Sequence, residues 1–328
     1  MIKINDIYNQ NLKSSNILVL GDIIYDKYVF GNADRLSPEA PVPIFKTDRY
    51  EFRLGGAANV FNNIVSLGAR ARLCGIIGND KEGMDIRSKI IDLSGNSDLI
   101  IVSNERQTTK KTRLLVGNHH MLRIDEEITS EIEKEAEKKI FDMIAKTVDI
   151  YDLVVISDYN KGLLTCSFVR NIIDLFAGKG KKIITDPKND FYKYSGSYLL
   201  KPNVGELSRF IGGRNIEENF DEVVRCGKAI LDYGNFEHLY VTMGERGGVL
   251  FGKNFEVENA SVFGGMAVDI TGAGDTTLAA LAIAVAAKID IIKAVKFASF
   301  VAGISVSQFG TTAVSKNKVI SHIQNISV

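Results

Sequence analysis

Short runs of apolar, often β-branched residues alternate with amphipathic helical stretches along most of the chain. Such alternation is typical of βαβ units and predicts an α/β fold with a mainly parallel sheet. Buried strands are predicted at residues 16–20, 71–77, 153–157, 182–186 and 198–200. Helices are predicted over residues 56–67, 130–145 and 276–287, and Ser130 and Glu133 are expected to open the second with a capping box. Because polar residues lie at the ends of these strands, ligands are expected beyond their carboxyl ends.

Two segments depart from this alternation. Residues 24–54 and 107–124 alternate apolar and polar side chains without a helical period, as in residues 111–116. This period predicts strands, and we interpret both segments as parts of a small sheet standing apart from the main one. That sheet either forms a lid over a ligand site or is a plain β-excursion of the fold. No repeat, low-complexity tract or linker interrupts the chain, so a single domain with an inserted subdomain is the economical interpretation.

The charge balance excludes partners that need a broad electrostatic field. Lys+Arg and Asp+Glu both number 40 in the 328 residues, so the formal net charge is zero. Neither nucleic acid nor a membrane surface is an expected partner, and any bound anion must be met by local groups. The longest apolar run, residues 278–287, is too short to span a bilayer, and no signal peptide is recognisable. Three scattered cysteines form neither a disulfide framework nor a zinc motif, so a cytoplasmic location is predicted.

The strongest local signal is D-I-T-G-A-G-D at residues 269–275, directly before the alanine-rich helix. Gly272 and Gly274 leave backbone N–H groups bare at the helix N-terminus, where amides and dipole favour a phosphate or a developing anion. A carboxylate beside such amides suits a base that takes a proton from an attacking hydroxyl while the amides hold a transferring phosphoryl group. Asp275 is therefore a candidate general base. The alternative is an aspartate that only interacts with the helix dipole.

Two further motifs follow predicted strands. In K-P-N-V-G-E at residues 201–206, Asn203 and Glu206 could both face one ligand, and their oxygens suit Mg²⁺. The alternative is an ordinary helix start capped by the asparagine. In V-T-M-G-E-R-G-G at residues 241–248, small residues either let the backbone pack against a nucleotide or form a hairpin turn. Residues 247–253 have the glycine and lysine spacing of a P-loop, but Asn254 replaces the Mg²⁺-binding Ser/Thr, which excludes that motif.

A fourth constellation lies near the N-terminus. The first predicted strand leads into Gly21 and Asp22, and G-G-A-A-N at residues 55–59 opens the next helix. The carboxylate of Asp22 and the amide of Asn59 could bind neighbouring sugar hydroxyls. The alternative is a tight turn with close helix packing. A dinucleotide fingerprint is excluded because the G-x-G-x-x-G spacing is missing.

Together, and in this order along the chain, these motifs resemble the ribokinase-like (PfkB) family of carbohydrate kinases. The resemblance covers nearly the whole sequence. It implies a three-layer α/β/α sandwich with a mainly parallel central sheet, a small β-sheet lid, and phosphorylation of a sugar hydroxyl by ATP with Mg²⁺. Ala57 stands where ribokinase itself has a lysine, so ribose is not the expected acceptor.

The resemblance implies roles for individual residues. The catalytic group would be Asp275 as the base with the amides of Gly272, Ala273 and Gly274. The nucleotide would be bordered by Asn203, Thr242, Gly244 and Gly247. The sugar would be held by Asp22, Gly55, Gly56 and Asn59. Glu206 would organise Mg²⁺ through its waters, and a monovalent cation such as K⁺ would lie near Asp269 and Thr271.

Five segments narrow the resemblance further, at residues 21–26, 35–43, 55–59, 157–162 and 186–188. They are similar to kinases that convert D-glycero-β-D-manno-heptose 7-phosphate to its 1,7-bisphosphate at the anomeric (C1) hydroxyl, a step of ADP-heptose and lipopolysaccharide core biosynthesis. A 7-phosphate needs cations away from Asp275, and Lys110, Lys111, Arg113 and Arg123 lie on the candidate lid. Arg123 is singled out as the clamp, because its planar fork can grip phosphate. The alternative is solvated charge on an edge.

Other functions remain open at this point. One is a kinase of the same family for another sugar, sugar phosphate or nucleoside. Another is a regulator that binds sugar or nucleotide without catalysis, against which the joint presence of Asp275, Asn203 and Glu206 argues. The resemblance also implies a homodimer formed through the lid. Residues 1–328 are expected to form one kinase domain without a nucleotidyltransferase domain, the adenylyltransferase being a separate chain.

Overall fold

A computed structural model describes residues 15–117, 119–213, 215–216, 219–253, 255–260 and 269–326. The strands are β1 (Asn16–Gly21), β2 (Ile23–Leu36), β3 (Pro43–Gly56), β4 (Arg70–Gly78), β5 (Ile100–Ser103), β6 (Thr109–Val116), β7 (His119–Glu126), β8 (Leu153–Ser157), β9 (Lys182–Asp186), β10 (Leu199–Leu200), β11 (His238–Thr242), β12 (Gly248–Gly252) and β13 (Phe255–Ala260). The helices are α1 (Ala57–Ser66), α2 (Lys81–Ser94), α3 (Lys134–Thr147), α4 (Cys166–Gly178), α5 (Val204–Phe210), α6 (Phe220–Tyr233), α7 (Ala273–Ala286), α8 (Ile291–Val306) and α9 (Lys316–Ile326). Among these helices, none combines the length and the apolar composition that crossing a membrane requires.

The larger sheet has the strand order β13-β12-β11-β10-β9-β8-β1-β4-β5. Its pairs from β11 to β5 are parallel, and β12 and β13 continue it in antiparallel pairing at one edge. The chain moves outward in one direction through β1, β4 and β5, and in the other through β8, β9, β10 and β11. The switch point therefore lies between β1 and β8, where a crevice opens beyond the carboxyl ends of the strands.

Strand residues alternate between two hydrophobic cores, one on each face of this sheet. Ile17 and Val19 of β1 pack with α1, α7 and α8 on one face. Leu18 and Leu20 pack with α3, α4 and α6 on the other. Helices on both faces make three layers, as expected, and explain why the strands are apolar runs rather than alternating ones.

The small sheet that the two exceptional segments predict is also present. Its order is β3-β2-β6-β7, with β2 and β6 parallel and the other pairs antiparallel. β2 begins two residues after β1 ends, and β3 leads directly into α1. The small sheet is therefore attached to the main body at the switch point.

One predicted helix start is wrong. Ser130 and Glu133 form no capping box, because α3 begins at Lys134 and Glu133 makes no side-chain cap. The backbone before it is held elsewhere: Arg106 donates to the carbonyls of Ile128 and Ser130, at 2.9 and 2.8 Å. These contacts join residues more than 20 positions apart, so the local pattern could not show them. The helix predicted over 276–287 begins three residues earlier, at Ala273.

Gly56 marks the junction of β3 with α1. Its φ is +58°, and a Cβ there would lie 2.4 Å from the carbonyl oxygen of Asp22. Gly95, after α2, has a φ of +71° but has nothing within 4 Å of an added Cβ. The two glycines share the left-handed backbone and differ in the space around them.

We therefore expect Gly56→Ala to destabilise the fold more than Gly95→Ala. The control should lower the free energy of unfolding by about 1 kcal/mol, since both carry the backbone strain. Gly56→Ala should lose about 2 kcal/mol more, because the overlap with backbone forces a shift. Urea denaturation of both variants measures the difference, and equal losses would contradict the close packing of this junction.

Candidate active site

The backbone before α7 turns sharply into the helix. Gly272 is the N-cap residue with a φ of +82°, and an added Cβ would lie 3.0 Å from Asn59 Nδ2. The N–H of Ala273 donates to the carbonyl of Ile270 at 3.2 Å, so this amide is already engaged. At Gly274 the nearest atom to an added Cβ is Lys201 Nζ, at 3.8 Å, so the backbone is open to close approach. Gly272 and Gly274 are therefore the better candidates for amides facing an anion.

Asp275 lies in the first turn of α7 with its carboxylate buried. Oδ2 accepts from Asn59 Nδ2 at 2.8 Å, and Oδ1 accepts from the Tyr159 hydroxyl at 2.7 Å. Burial raises the pKa of Asp275 to about 6, against the lowering effect of these two hydrogen bonds and of the Lys201 charge. Side chains from two other elements thus hold the carboxylate, which goes beyond an interaction with the helix dipole.

A chain of amides fixes the orientation of Asn59. Asn63, one turn later in α1, donates to Asn59 Oδ1 at 3.1 Å. Asn63 Oδ1 in turn accepts from the Thr276 hydroxyl at 3.3 Å and from the Val314 amide at 3.2 Å. With its oxygen occupied, Asn59 turns its NH₂ group to Asp275. Asn63, which is fully buried, was missed from the sequence, where its only signal is an amide side chain four residues after Asn59 in the predicted helix.

Asp22 lies beyond the end of β1, facing the loop that follows β8. Its Oδ2 accepts from the backbone amides of Tyr159 at 2.8 Å and Lys161 at 3.1 Å. Burial and then the nearby charge of Asp158 raise the pKa of Asp22 to about 6, and the two amides lower it. Gly56 passes beside the main chain of Asp22, since it pairs with Ile23 and the Ala57 amide donates to the Asp22 carbonyl, whereas Gly55 lies against the side chain of Asp26. Asn59 contacts Asp275, and Tyr159 links Asp275 to Asp22.

A second group of charges follows β9 and β10. The Lys201 ammonium lies 3.1 Å from Asp186 Oδ1, with both side chains buried or nearly so. Burial raises the pKa of Asp186 to about 7, Lys201 lowers it, and the charges of Glu206 and Asp275 raise it. Lys201 and Asp186 therefore lie near the candidate base, although the sequence assigned them no role. Their signals were their positions at the ends of strands and within the segments 186–188 and 201–206.

Asn203 and Glu206 form the helix cap that was the alternative interpretation. The Glu206 amide donates to Asn203 Oδ1 at 2.8 Å, and the Asn203 amide donates to Glu206 Oε2 at 2.9 Å. Glu206 Oε1 also lies 3.2 Å from Lys188 Nζ. The cap holds the carboxylate in a buried position near Asp186 and Lys201.

Gly244 and Gly247 lie in the hairpin turn between β11 and β12, and Thr242 is the last residue of β11. This hairpin was also the alternative interpretation. Gly244 and Gly247 have φ values of +58° and +84°. Thr242 is bridged to Asn203, and its amide donates to the Pro202 carbonyl at 3.0 Å. The turn therefore lies beside α5 at the carboxyl edge of the main sheet.

Asp269 and Thr271 lie just before α7. Asp269 accepts from the amide of Thr271 at 2.8 Å and from that of Gly310 at 2.9 Å. Burial alone would raise the pKa of Asp269, but these hydrogen bonds outweigh it and lower the pKa. The carboxylate is therefore an anion at neutral pH.

Arg123 is not among the residues around Asp275. It lies on β7 with 57% of its side chain exposed, and donates to Asp125 at 2.9 Å. Its cross-strand neighbour Arg113 is buried against Asp26. Both arginines are on the same face of the small sheet, which contacts the main body where the Tyr28 hydroxyl meets Thr311. We call this the inner face.

The raised pKa of Asp275 predicts a pH-dependent cost to the fold. The pKa of Asp275 is higher in the folded than in the unfolded state. The contribution of this group to the free energy of unfolding is therefore fully present below about pH 4 and is lost as the pH rises through about 6. Asp275→Asn should therefore be more stable than the parent at pH 8 by about 2–3 kcal/mol, since one pKa unit is about 1.4 kcal/mol. Chemical denaturation at pH 8 and pH 5 should show this gain shrinking at the lower pH.

Asp269→Asn is the matched control, because the pKa of Asp269 is lowered. Its substitution should destabilise the protein at pH 8, and the loss should shrink as pH falls toward 4. A gain for Asp275→Asn that is the same at both pH values would contradict the burial cost.

Known proteins resemble this chain in sequence and in fold. Residues 14–318 match the model of the pfkB family carbohydrate kinases. The bifunctional protein HldE of Pelobacter propionicus is 34% identical over 321 residues, covering 98% of this chain and 65% of that protein. HldE of Sulfurimonas denitrificans is 36% identical over 310 residues, covering 92% and 63%. The chain thus spans less than two thirds of the length of these relatives.

Solved structures share the fold at low sequence identity. Phosphofructokinase-2 from Escherichia coli in complex with potassium superposes with a TM-score of 0.77 at 16% identity, covering 96% of this chain and 99% of that one. Ribokinase from Arabidopsis thaliana complexed with ribose and ATP gives 0.71 at 19% identity, covering 94% and 97%. The ribokinase-like fold is confirmed. The chain belongs to the pfkB family of carbohydrate kinases and is a phosphotransferase that uses a hydroxyl group as acceptor.

Proposed function

We propose that this kinase transfers the γ-phosphoryl group of ATP to the anomeric hydroxyl of D-glycero-β-D-manno-heptose 7-phosphate. The observation that carries the proposal is the buried carboxylate of Asp275, held at the N-terminus of α7 between Asn59 and Tyr159. The similarity of five sequence segments to heptose 7-phosphate kinases supports this acceptor. The relatives named bifunctional protein HldE, of whose length this chain spans less than two thirds, also support it.

In the proposed reaction, Asp275 takes the proton of the acceptor hydroxyl while the oxygen of that hydroxyl forms a bond to the γ-phosphorus of ATP. The bond from that phosphorus to the β–γ bridging oxygen breaks, and ADP leaves. The amides of Gly272 and Gly274, with Ala273 between them, stabilise the charge on the transferring group. A pKa of about 6 leaves Asp275 ionised at neutral pH and able to accept a proton.

Asn203, Thr242, Gly244 and Gly247 border the proposed nucleotide at the edge beside α5. Glu206 would hold Mg²⁺ through waters, and the ion would neutralise phosphate charge. Within the described residues no group of three or more His, Cys, Asp or Glu could hold a metal by itself. That fits Mg²⁺, which keeps waters and binds through few carboxylates together with substrate phosphates. Asp269 and Thr271 are proposed to lie at a K⁺ site, supported by the anionic state of Asp269 and by the potassium in a structural neighbour.

The charge on the inner face supports a phosphorylated acceptor. Strand register places together the cations Arg49, Arg53, Lys111, Arg113 and Arg123 and the carboxylates Asp26, Glu51 and Asp125. This excess of cations is local, in a chain of zero net charge. Arg123 shares Asp125 with Lys111, so both could turn to a phosphate. We propose that the small sheet is a lid of the one kinase domain and that Arg123 clamps the distal phosphate.

The opposite face of the small sheet supports a homodimer. Tyr50, Leu122 and Ile124 lie on it with 63%, 55% and 45% exposure. Tyr50 lies on the edge strand β3 and the other two on the opposite edge strand β7, and large apolar side chains exposed across one sheet face favour a covering partner. We propose a second copy of this chain as that partner, in the cytoplasm, where ATP and sugar phosphates are available.

An ADP-release assay with a panel of acceptors tests the function. The heptose 7-phosphate should support faster turnover than fructose 6-phosphate, ribose or a nucleoside. Asp275→Asn should lower kcat by about 10²–10⁴-fold, because the general base is lost. Its ATP affinity, measured by calorimetry, should be nearly unchanged. Preference for another acceptor would support the alternative of a kinase for a different sugar, and no ADP from any acceptor would support a binding protein.

Removal of the proposed clamp should act on sugar binding. Arg123→Ala should raise KM for the heptose 7-phosphate about tenfold, the value of a charge-assisted hydrogen bond, and change kcat less. Lys110→Ala is the matched control, since Lys110 lies on the other face of β6 with Glu82 and Glu126. It should change KM less than twofold. Equal effects of the two variants would contradict the clamp.

A further inference from the structure

Tyr159 contacts both functional carboxylates of the cleft. Its backbone amide donates to Asp22 Oδ2 at 2.8 Å, and its hydroxyl donates to Asp275 Oδ1 at 2.7 Å. Asn59, the other partner of Asp275, belongs to α1 and makes no such link. Tyr159 therefore sets the spacing between Asp22, which is proposed to bind the sugar, and Asp275, the proposed base.

The loop that carries Tyr159 is held by contacts on every side. Asp158 accepts from the Asn160 amide at 2.7 Å, and from Lys193 and Tyr194 at 2.6 Å each. Gly162 packs against the Ser130 carbonyl, where an added Cβ would overlap. Because these contacts fix the backbone, the phenol of Tyr159 has a defined direction toward Asp275.

We propose that Tyr159 is a positioning residue for the reaction: its hydroxyl orients Oδ1 of Asp275 toward the acceptor hydroxyl and stabilises the carboxylate by donating to it. This inference rests on the proposed role of Asp275 as the base. A carboxylate oxygen accepts two hydrogen bonds, so Oδ1 can keep Tyr159 while it meets the acceptor. Tyr159 exchanges no proton with the substrate.

Four charged residues outside α7 and the Tyr159 loop lie around this pair. They are Asp26 of β2, Asp186 at the end of β9, Lys188 after it and Lys201 after β10. Their effects are the same in the parent and in a tyrosine-to-phenylalanine variant. A difference between these two proteins therefore reports the hydroxyl alone.

The test is the pH profile of kcat/KM for Tyr159→Phe. Loss of the donor raises the pKa of Asp275, so the acid limb should move up by about one pH unit. The rate should fall about fivefold at pH 6 and about tenfold at pH 5, and it should approach the parent value above pH 8. KM for the sugar should change little, because the backbone amide still holds Asp22. Tyr151→Phe is the matched control: Tyr151 precedes β8, at the opposite end of the strand, and its buried hydroxyl has no partner within the described structure.

A second variant moves the limb in the opposite direction. 3-Fluorotyrosine at position 159 is a stronger donor, so the limb should move to lower pH. A loss of rate in Tyr159→Phe that is equal at every pH, or a limb that moves the same way in both variants, would overturn the proposal. Either result would show that the Tyr159 hydroxyl does not control the ionisation of Asp275.

A measurement without turnover separates this inference from the proposed function. The carboxyl carbon of ¹³C-labelled Asp275, assigned by its loss in Asp275→Asn, should titrate at higher pH in Tyr159→Phe than in the parent. If no acceptor is phosphorylated, the proposed function fails, and this titration still decides whether Tyr159 controls the carboxylate. Unchanged titration in an active enzyme would overturn the role of Tyr159 alone.

Discussion

The burial of one carboxylate at the start of α7 is the constraint on which the site depends. Asp275 is held by a neutral amide and a neutral hydroxyl instead of a direct cation partner. Since neutral donors stabilise the anion only in part, burial dominates and the pKa is about 6. A cation at the same place would give a weaker base. The arrangement therefore lowers the stability of the fold while keeping a group that can take up a proton near neutral pH.

The fold supplies what this carboxylate needs. The sheet order reverses between β1 and β8, so Asp22 and the Tyr159 loop meet at one edge. α1 and α7 pack on the same face, and the amides of Asn59 and Asn63 tie them together. The backbone of Gly56 lies close to the carbonyl of Asp22, and this contact allows β3 of the small sheet to continue directly into α1 of the main body. These local elements would meet the charged groups of the proposed substrates, in a chain of zero formal net charge.

Much of this could be predicted from the sequence, for physical reasons that differ between residues. Residues 153–157 and 182–186 are strands as predicted, because a run buried on both faces needs no knowledge of its neighbours. Asp275 was found because a carboxylate after bare amides is chemically unusual. The capping box at Ser130 failed because Arg106 holds that backbone from a distance. Tyr159 lies in the segment 157–162, but the sequence assigns it no role. The direction of its side chain depends on Asp22, which is distant in sequence, and on the contacts of Asp158 with Lys193 and Tyr194.

Product analysis by ³¹P NMR tests whether the enzyme phosphorylates the anomeric hydroxyl. The parent enzyme is incubated with ATP, Mg²⁺ and D-glycero-β-D-manno-heptose 7-phosphate. ADP and one new phosphomonoester signal, split by coupling to the anomeric proton, are expected in equal amounts. ADP with inorganic phosphate alone, or a new ester on a hydroxyl other than the anomeric one, would contradict this proposal.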